Sequence, residues 1–290
     1  MRDHCEEFGS VSRGCKILKL SPSTYYYRLK INPKEREKKD ADLRDLIEKI
    51  QLELPGYGHR RLYQEFLRRQ MRVNKKRIRR IQEKYGLFPI VWKKFVATTD
   101  SKHGYRIHPN LTKDLEVTAV NQLWVADITY IRILTCFVYL AVILDRFSRK
   151  VIGWAIAKTL HRSLAIKALQ MAIDERDPPQ GCIHHSDQGV QYASDEYVEI
   201  LENRKMKISM SRKGNCYDNA YAETFFKTLK YEEVHLQNYE TYDDVLKRVP
   251  FFIEEVYNKK RLHSSLGYLT PEEFESKKPS QTKTEPVIPA

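Results

Sequence analysis

The sequence predicts an α/β domain preceded by an all-α region that contains helix-turn-helix elements. Apolar residues recur at helical spacing in the first part of the chain, whereas strand-like runs rich in Val, Ile and Tyr begin near Leu123. The charge changes at the same place. Of the 51 Lys and Arg and 38 Asp and Glu, residues 1–118 hold 28 and 15, which leaves 23 of each for residues 119–290. The two parts therefore differ in both structure and charge.

The net charge of +13 lies entirely before residue 119. This asymmetry indicates a region that grips DNA, joined to a neutral domain. The alternative is a basic surface that only keeps the protein soluble. The five cysteines form no CxxC pair, which is typical of reduced thiols in a cytosolic protein. Because no secretory signal and no run of 18 apolar residues is visible, we expect a cytoplasmic protein without a membrane partner.

Residues 1–35 are predicted to form a helical segment that resembles a helix-turn-helix. Val11 to Leu18 fits a first short helix, and Ser21 with Pro22 is typical of the cap and first position of a second. Residues 31–40 are expected to be a polar, charged joint.

A helix-turn-helix DNA-binding domain is predicted over residues 36–95. Asn74 is expected to cap the last helix of this domain and Gly86 to end it. The three expected helices span about 41–53, 59–69 and 75–85.

The second and third of these helices carry a dense cluster of basic residues. From Arg60 to Arg80 the sequence has ten Lys and Arg and one acid, Glu65. We interpret the third helix as a recognition helix that faces DNA phosphates. The alternative is a basic helix that faces only solvent. The candidate DNA-binding residues are Arg60, Arg61, Lys75, Lys76, Arg77, Arg79 and Arg80.

Residues 96–118 are interpreted as a linker, and a second domain is predicted over residues 119–276. Its expected strands are about 123–133, 136–144, 150–157, 182–185 and 207–210, and its first helices about 161–175 and 194–203. Three strands, a helix, a strand and then helices is the order of the RNase H-like fold. Residues 277–290 are expected to be disordered.

Three carboxylates of the second domain are candidates for one site. Asp127 lies inside an apolar strand, where an ionised Asp is costly unless it is paired or binds a metal ion. Asp187 ends a short strand, and 35 residues separate it from Glu223, near the start of a helix expected over 220–233 with Asp218 as its cap. Converging carboxylates repel unless a cation neutralises them, and Mg²⁺ prefers such ligands.

Other interpretations of each acid remain open. Asp127 could pair with a buried Arg, Asp187 could be an ordinary turn residue, and Glu223 could be a solvated helix acid. Asp145 is interpreted as a turn residue rather than a ligand. The loop over 210–217 could clamp substrate or only connect two elements.

Lys230 lies seven residues after Glu223, which places it about 10.5 Å along the same helix face. We expect Lys230 to contact a phosphate beside the reacting bond. The alternative is a solvated lysine paired with an acid one turn away.

The spacing of Asp127, Asp187, Glu223 and Lys230 resembles the catalytic centre of the retroviral-integrase superfamily. The chain is more closely similar to second-reading-frame transposases of the IS-three family of insertion sequences. Five stretches carry the likeness: Trp124 to Tyr130, Leu144 to Trp154, His185 to Tyr192, Ser211 to Ala220 and Tyr257 to Tyr268.

This resemblance implies a metal-dependent enzyme that cleaves and joins the DNA ends of an insertion sequence. Asp127, Asp187 and Glu223 would hold two Mg²⁺ ions, for which Mn²⁺ would substitute. The implied partners are the terminal repeats, target DNA, further copies of the chain and the upstream-frame protein, in a bacterial, nucleoid-associated setting. No structural zinc is expected. The rival functions are an RNase H-type nuclease and a DNA-binding repressor with an inactive catalytic domain.

Overall fold

A computed structural model of the chain describes residues 10–23, 26, 33–89, 104–113, 115–134, 136–212 and 219–277. The chain separates into two compact units, residues 1–53 with 57–89 and residues 54–56 with 90–290. In the first unit the helices are α1 Val11–Ile17, α2 Pro33–Glu53, α3 His59–Arg68 and α4 Lys75–Tyr85.

The prediction of a polar joint over residues 31–40 is wrong from Pro33 onward, because α2 already begins there. Proline has the backbone angle that a first helical position requires. Lys39 also donates to Glu35 one turn earlier at 2.6 Å, which supports the helix. The short helix expected after Ser21 lies largely outside the described residues.

The fourth helix of the first unit, α4, has the predicted ends. The Asn74 side chain accepts from the Lys76 N–H at 2.8 Å, and Gly86 ends α4 with a φ of 68°. The apolar faces of α2, α3 and α4 form the core of this unit, with fully buried Ile47, Ile50, Leu62, Phe66, Ile78 and Ile81. The helices are thus held together by side chains at helical spacing.

The second unit is built on a five-stranded mixed sheet. Its strands are β1 Leu123–Arg132, β2 Phe137–Asp145, β3 Val151–Ala157, β4 Ile183–Ser186 and β5 Lys207–Met210, in the order β3-β2-β1-β4-β5. The first three strands pair antiparallel, whereas β4 lies parallel to β1 and β5 parallel to β4. The predicted strands agree with these bounds to within about two residues, the boundary error expected of such predictions.

Helices cover both faces of the sheet. Trp124 and Ala126 of β1 pack with α5, Arg162–Arg176, on one face. Leu123 and Val125 pack on the other face, against Phe225 and Leu229. Two short helices, α6 Val190–Ala193 and α7 Asp195–Asn203, follow β4, and α8 spans Ala220–Leu229. Because β1 is buried on both faces, its one carboxylate residue lies in a mostly apolar environment.

The C-terminal helices depart from the predicted regular pattern. The helix expected over 220–233 changes to π-helix at Lys230–Val234 before α9, His235–Gln237. The next helix, α10 Tyr242–Phe251, contains Pro250 and passes into a π-helical segment, Phe252–Tyr257. The last helix is α11, Pro271–Lys277. The expected disorder of residues 277–290 concerns positions outside the described residues, apart from Lys277.

The described part of the predicted linker lies along the second unit. Residues 104–113 and 115–118 contain no helix or strand. Leu115 and Val117 pack against the core of this unit, and the Leu111 N–H donates to Ser209 Oγ at 2.8 Å.

Candidate active site

The register of the sheet brings Asp127 and Asp187 together. In the parallel pair, Leu123 lies opposite Ile183 and Val125 opposite His185. Continuing this register by two residues places Asp127 beside Asp187, one residue beyond the end of β4. The carboxyl end of β4 therefore meets the middle of β1 at the two predicted acids.

Asp127 lies in a strongly anionic, poorly solvated environment. Burial raises the pKa of Asp127 well above its usual value, and the charges of Asp187 and Glu223 raise this pKa further. The Ile128 N–H, which donates to Asp127 Oδ1 at 2.8 Å, and the charge of Lys230 lower it. The other three predicted site residues thus all act electrostatically on Asp127.

Asp187 is held by the backbone of the loop that follows it. The Gly189 N–H donates to Asp187 Oδ1 at 2.9 Å. A Cβ at position 189 would lie 2.9 Å from the same oxygen, closer than side-chain carbons come to other atoms. Glycine at this position therefore lets the loop close around the carboxylate without moving it.

Glu223 lies exposed in the first turn of α8. Asn219, which precedes this helix, donates from Nδ2 to the carbonyl of Ala126 at 3.2 Å. That contact fixes the start of α8 beside the residue before Asp127. The Oδ1 of Asn219 is buried and accepts no hydrogen bond within the described residues. The predicted cap Asp218 lies outside them, and the residue at the cap position of α8 is Asn219.

Lys230 is half-buried at the start of the first π-helical segment. Its Nζ lies 4.7 Å from the centroid of the Tyr130 ring. Burial lowers the pKa of Lys230, and the charge of Asp127 raises it. The positive charge of Lys230 therefore interacts with the negative charge of Asp127.

The first two acids after Lys230, Glu232 and Glu233, each form an ion pair with an arginine. Arg261 donates to Glu232 at 2.7 and 2.8 Å, and Arg248 donates to Glu233 at 2.8 Å. The alternative in which Lys230 pairs with an acid one turn further along is therefore not the arrangement found in the structure.

The donor set at this place fits a hard divalent cation. Carboxylate oxygens are the ligands that Mg²⁺ prefers. The pKa of Asp127 is raised first by burial and then by the negative charges of Asp187 and Glu223, which a cation would offset. As the side chains stand, no three His, Cys, Asp or Glu within the described ranges are gathered so that they could hold a metal ion.

An aromatic cluster under the Asp187 loop was not predicted from the sequence. Tyr197 and the His184 Nε2 are hydrogen-bonded at 2.9 Å, and the Tyr192 ring lies 5.4 Å from that of Tyr197. The charges of Asp127 and Asp187 help to raise the pKa of Tyr192, so this phenol also lies near the acids. These residues come from β4, α6 and α7, and no periodic pattern links them.

Asp145 is a turn residue, as expected. Its buried carboxylate accepts from the backbone N–H groups of Asn121, Phe147 and Ser148 at 2.6, 2.9 and 3.0 Å. The side chain therefore organises the β2–β3 connection.

The candidate DNA-binding residues divide into two groups in the structure. Arg77 and Arg80 turn toward Asp40 of α2 and donate to its carboxylate at 2.8 and 2.7 Å. Asp40 is only 7% exposed, so these two arginines neutralise a carboxylate that is almost buried. No pattern in the sequence indicates this contact, because Asp40 lies in the stretch predicted to be a polar joint.

The other candidates remain accessible. Arg60, Lys75, Lys76 and Arg79 are exposed, although Arg79 also donates to Glu83 at 2.8 Å. Lys75 lies 5.7 Å from the Tyr63 ring centroid, and Arg61 lies 5.7 Å from that of Tyr57. The exposed basic face of α4 is therefore formed by Lys75, Lys76 and Arg79.

Comparison with known proteins identifies both domains. Residues 117–216 and 204–271 match families described as "Integrase core domain", and residues 37–95 match a family described as "HTH-like domain". These matches confirm the predicted fold class, a retroviral integrase-type, RNase H-like core preceded by a helix-turn-helix region. None of the described helices is long and apolar enough to cross a membrane.

Similar proteins cover almost the whole chain. The chain is 37% identical over 265 residues to the "Insertion element IS600 uncharacterized 31 kDa protein" of Shigella sonnei, with 91% of this chain and 97% of that protein covered. It is 34% identical over 279 residues to "Transposase InsF for insertion sequence IS3A" of Escherichia coli (strain K12), with 94% and 96% covered. A solved structure of the HTLV-2 integrase catalytic core domain in complex with magnesium (trimeric form) aligns with a TM-score of 0.42 and 18% identity, covering 53% of this chain and 95% of that one. These two sequence relatives, each more than 30% identical over more than 90% of the chain, show that the chain belongs to the IS-three family of insertion-sequence transposases, which are polynucleotidyl transferases.

Proposed function

We propose that Asp127, Asp187 and Glu223 are the catalytic carboxylates with which this transposase cleaves and joins the ends of its insertion sequence. The observation that carries the proposal is the register of β1 and β4, which places Asp127 beside Asp187, while Asn219 holds the start of the Glu223 helix at Ala126. In line with this arrangement, burial and the charges of Asp187 and Glu223 raise the pKa of Asp127. Such an accumulation of negative charge is unfavourable in the protein alone and suits a site that takes divalent cations. Mg²⁺ is the expected cation, in two copies, and Mn²⁺ is expected to substitute for it.

The cations would activate the attacking oxygen and stabilise the leaving oxygen of an in-line displacement at phosphorus. The protein orients the ligands for this step. Asp127 is fixed on the central strand and Asp187 by the Gly189 N–H. Glu223 is exposed on the first turn of α8, the helix whose start Asn219 holds at Ala126 of β1. Lys230 is placed to hold a DNA phosphate beside them.

DNA binding is proposed for the N-terminal part of the chain. The proposed domains are a helical segment over residues 1–35, a helix-turn-helix domain over 36–95, a linker over 96–118, the catalytic domain over 119–276 and a tail over 277–290. The exposed face of α4 would contact phosphates of the terminal repeats, and the core would contact both the repeats and target DNA. We also propose that several copies assemble on DNA in the bacterial cytoplasm, on the nucleoid. The upstream-frame protein is proposed to help pair the two ends, so a frameshifted fusion should pair them better than this chain alone. Equal pairing by the two proteins, seen by mass photometry, would count against that role.

Two rival functions share parts of this arrangement. An RNase H-type nuclease would use the same acids but would not need the basic helical region before them. A repressor would need the basic region but not the acids. The charge of +13 over residues 1–118 and the three acids near one another favour an enzyme that both binds DNA and cleaves it.

The test is a joining assay with the duplex ends that flank the gene. With Mg²⁺ the protein should cleave and join these ends, and EDTA should abolish both steps. The same preparation should leave an RNA–DNA hybrid largely intact, since hybrid recognition depends on the 2′-hydroxyl. Cleavage of the hybrid without joining of the ends would favour the nuclease. Binding without any cleavage would favour the repressor.

A further inference from the structure

Two arginines of the β2–β3 turn converge on a tyrosine of α8. The guanidinium carbon of Arg146 lies 4.9 Å from the centroid of the Tyr221 ring, and that of Arg149 lies 4.8 Å from it. Tyr221 stands two residues before Glu223 in the first turn of the helix. The two positive charges are therefore held close together on the element that carries a proposed catalytic acid.

These two charges lack the carboxylate partners that neighbouring cations have. Lys150 pairs with Glu175 at 3.2 Å, and the carboxylate of Asp145 accepts from backbone N–H groups. Besides the ring of Tyr221, the Arg146 side chain contacts the Leu115 carbonyl, to which it donates at 3.5 Å. Among the described residues, no carboxylate lies within ion-pair distance of Arg146 or Arg149.

The backbone at Arg149 adds a second, independent observation. Arg149 has a φ of 61°, in the left-handed region that glycine adopts without strain. Its N–H donates to the Asp145 carbonyl at 2.8 Å, which holds this conformation. The turn therefore keeps a long cationic side chain at a position where glycine would be less strained.

The position of the pair relative to the proposed catalytic acids follows from the sheet. The Arg146 N–H donates to the Leu123 carbonyl at 2.9 Å, and Leu123 is four residues before Asp127 on β1. At 3.3 Å per residue of strand, this separation is about 13 Å. Phosphates of one DNA strand are spaced about 3.4 Å along the helix axis, so a duplex whose axis runs along β1 would span this separation in about four nucleotides.

We propose that Arg146 and Arg149, held on the ring of Tyr221, form a phosphate-binding site for the DNA strand that enters the active site. The guanidinium groups would contact a phosphodiester about four nucleotides from the reacting phosphate, because a planar guanidinium matches the geometry of phosphate oxygens. The contact would also anchor DNA to the helix that carries Glu223. This inference rests on the proposed function of the acids, since it takes their position as the place of reaction.

The experiment combines protein variants with single neutral phosphates in the DNA. Element-end duplexes carry one methylphosphonate each, at successive positions on either side of the cleaved bond. Binding is measured without divalent cation for wild type, Arg146→Gln, Arg149→Gln and Arg149→Gly. Wild type should lose roughly tenfold in affinity at one position three to five nucleotides from the cleaved bond, an order-of-magnitude expectation for a charged hydrogen bond. The arginine variants should bind unmodified DNA correspondingly less tightly and show no further loss at that position.

Matched controls separate a contact with DNA from a purely structural role. Arg204→Gln removes the same charge from an arginine that already pairs with Asp177 at 3.2 Å, and it should retain the wild-type pattern. Arg149→Gly relieves the left-handed strain, so its thermal midpoint should not fall although its DNA affinity does. Unchanged affinity and an unchanged methylphosphonate pattern in the Arg146 and Arg149 variants would overturn the proposal. Loss of thermal stability with unchanged DNA affinity would also overturn it, since the arginines would then only brace α8. Because binding is read without divalent cation, failure of the joining reaction in wild type would count against the catalytic proposal and not against this site.

Discussion

The ammonium group of Lys230 lies over the ring of Tyr130, 4.7 Å from its centroid. The two residues belong to the π-helical segment after α8 and to β1, so the contact joins the helix that carries Glu223 to the strand that carries Asp127. The cation is thereby fixed near the acids rather than left free in solvent. This placement supports a role in holding DNA at the site.

Replacing Lys230 should weaken DNA positioning more than chemistry. Lys230→Ala is expected to lower joining at low DNA concentration, and saturating DNA should restore most of the rate. Lys230→Arg should keep part of the activity, since the charge remains. The measurement is the joining rate against DNA concentration, with Lys227→Ala, on the same helix, as the control. A loss confined to the maximal rate would mean that Lys230 acts in the chemical step. No loss would mean that Lys230 has no role in joining.

Gly189→Ala should disturb the orientation of Asp187. The added carbon would lie 2.9 Å from Asp187 Oδ1, so the carboxylate must move. We expect joining to fall by about tenfold or more, in line with the sensitivity of catalysis to small misplacements, while DNA binding remains. Gly104→Ala, where a Cβ meets nothing within 4 Å, is the control. Full joining activity by Gly189→Ala would show that the loop does not fix the carboxylate.

The buried His184 should make stability depend on pH. Burial lowers the pKa of His184 to about 3, whereas in the unfolded chain it takes its ordinary value near 6.5. Its contribution to stability is therefore complete above about pH 6.5 and is lost as the pH falls toward 3, by about 1.4 kcal/mol per pH unit. Urea unfolding at pH 7.5 and pH 5 should show this slope in wild type. His184→Gln should flatten it and the exposed His161→Gln should not. Equal slopes in His184→Gln and wild type would contradict the assignment.

The two groups of basic residues on α4 should respond differently to neutralisation. Changing Lys75, Lys76 and Arg79 to Gln should lower the slope of log affinity against log salt by about 0.9 per phosphate contact and leave stability nearly unchanged. Arg77→Gln with Arg80→Gln should instead destabilise the first unit by on the order of 1–3 kcal/mol, because Asp40 would lose its charged donors. An unchanged salt slope in the first variant would mean that this face of α4 does not contact DNA.

Much of the fold follows from local sequence patterns. Asn74 and Gly86 bound α4 because capping depends on neighbouring residues, and the strands of the sheet follow from runs of β-branched and aromatic residues. The contacts that organise the site are not local. Asp40 meets Arg77 from 37 residues away, and Tyr221 meets Arg146 and Arg149 from another element. Such pairs arise only when packed elements bring distant side chains together, which no pattern within one element encodes.

The most direct test of the central claim is joining by three single variants, Asp127→Ala, Asp187→Ala and Glu223→Ala, with the exposed Glu199→Gln as a charge control. Each of the three substitutions should abolish cleavage and joining of element ends in Mg²⁺. Each should bind those ends as tightly as wild type, because the excess positive charge lies before residue 119. Glu199→Gln should join normally. Normal joining by any one of the three would contradict the assignment of that carboxylate and, with it, the proposed catalytic centre.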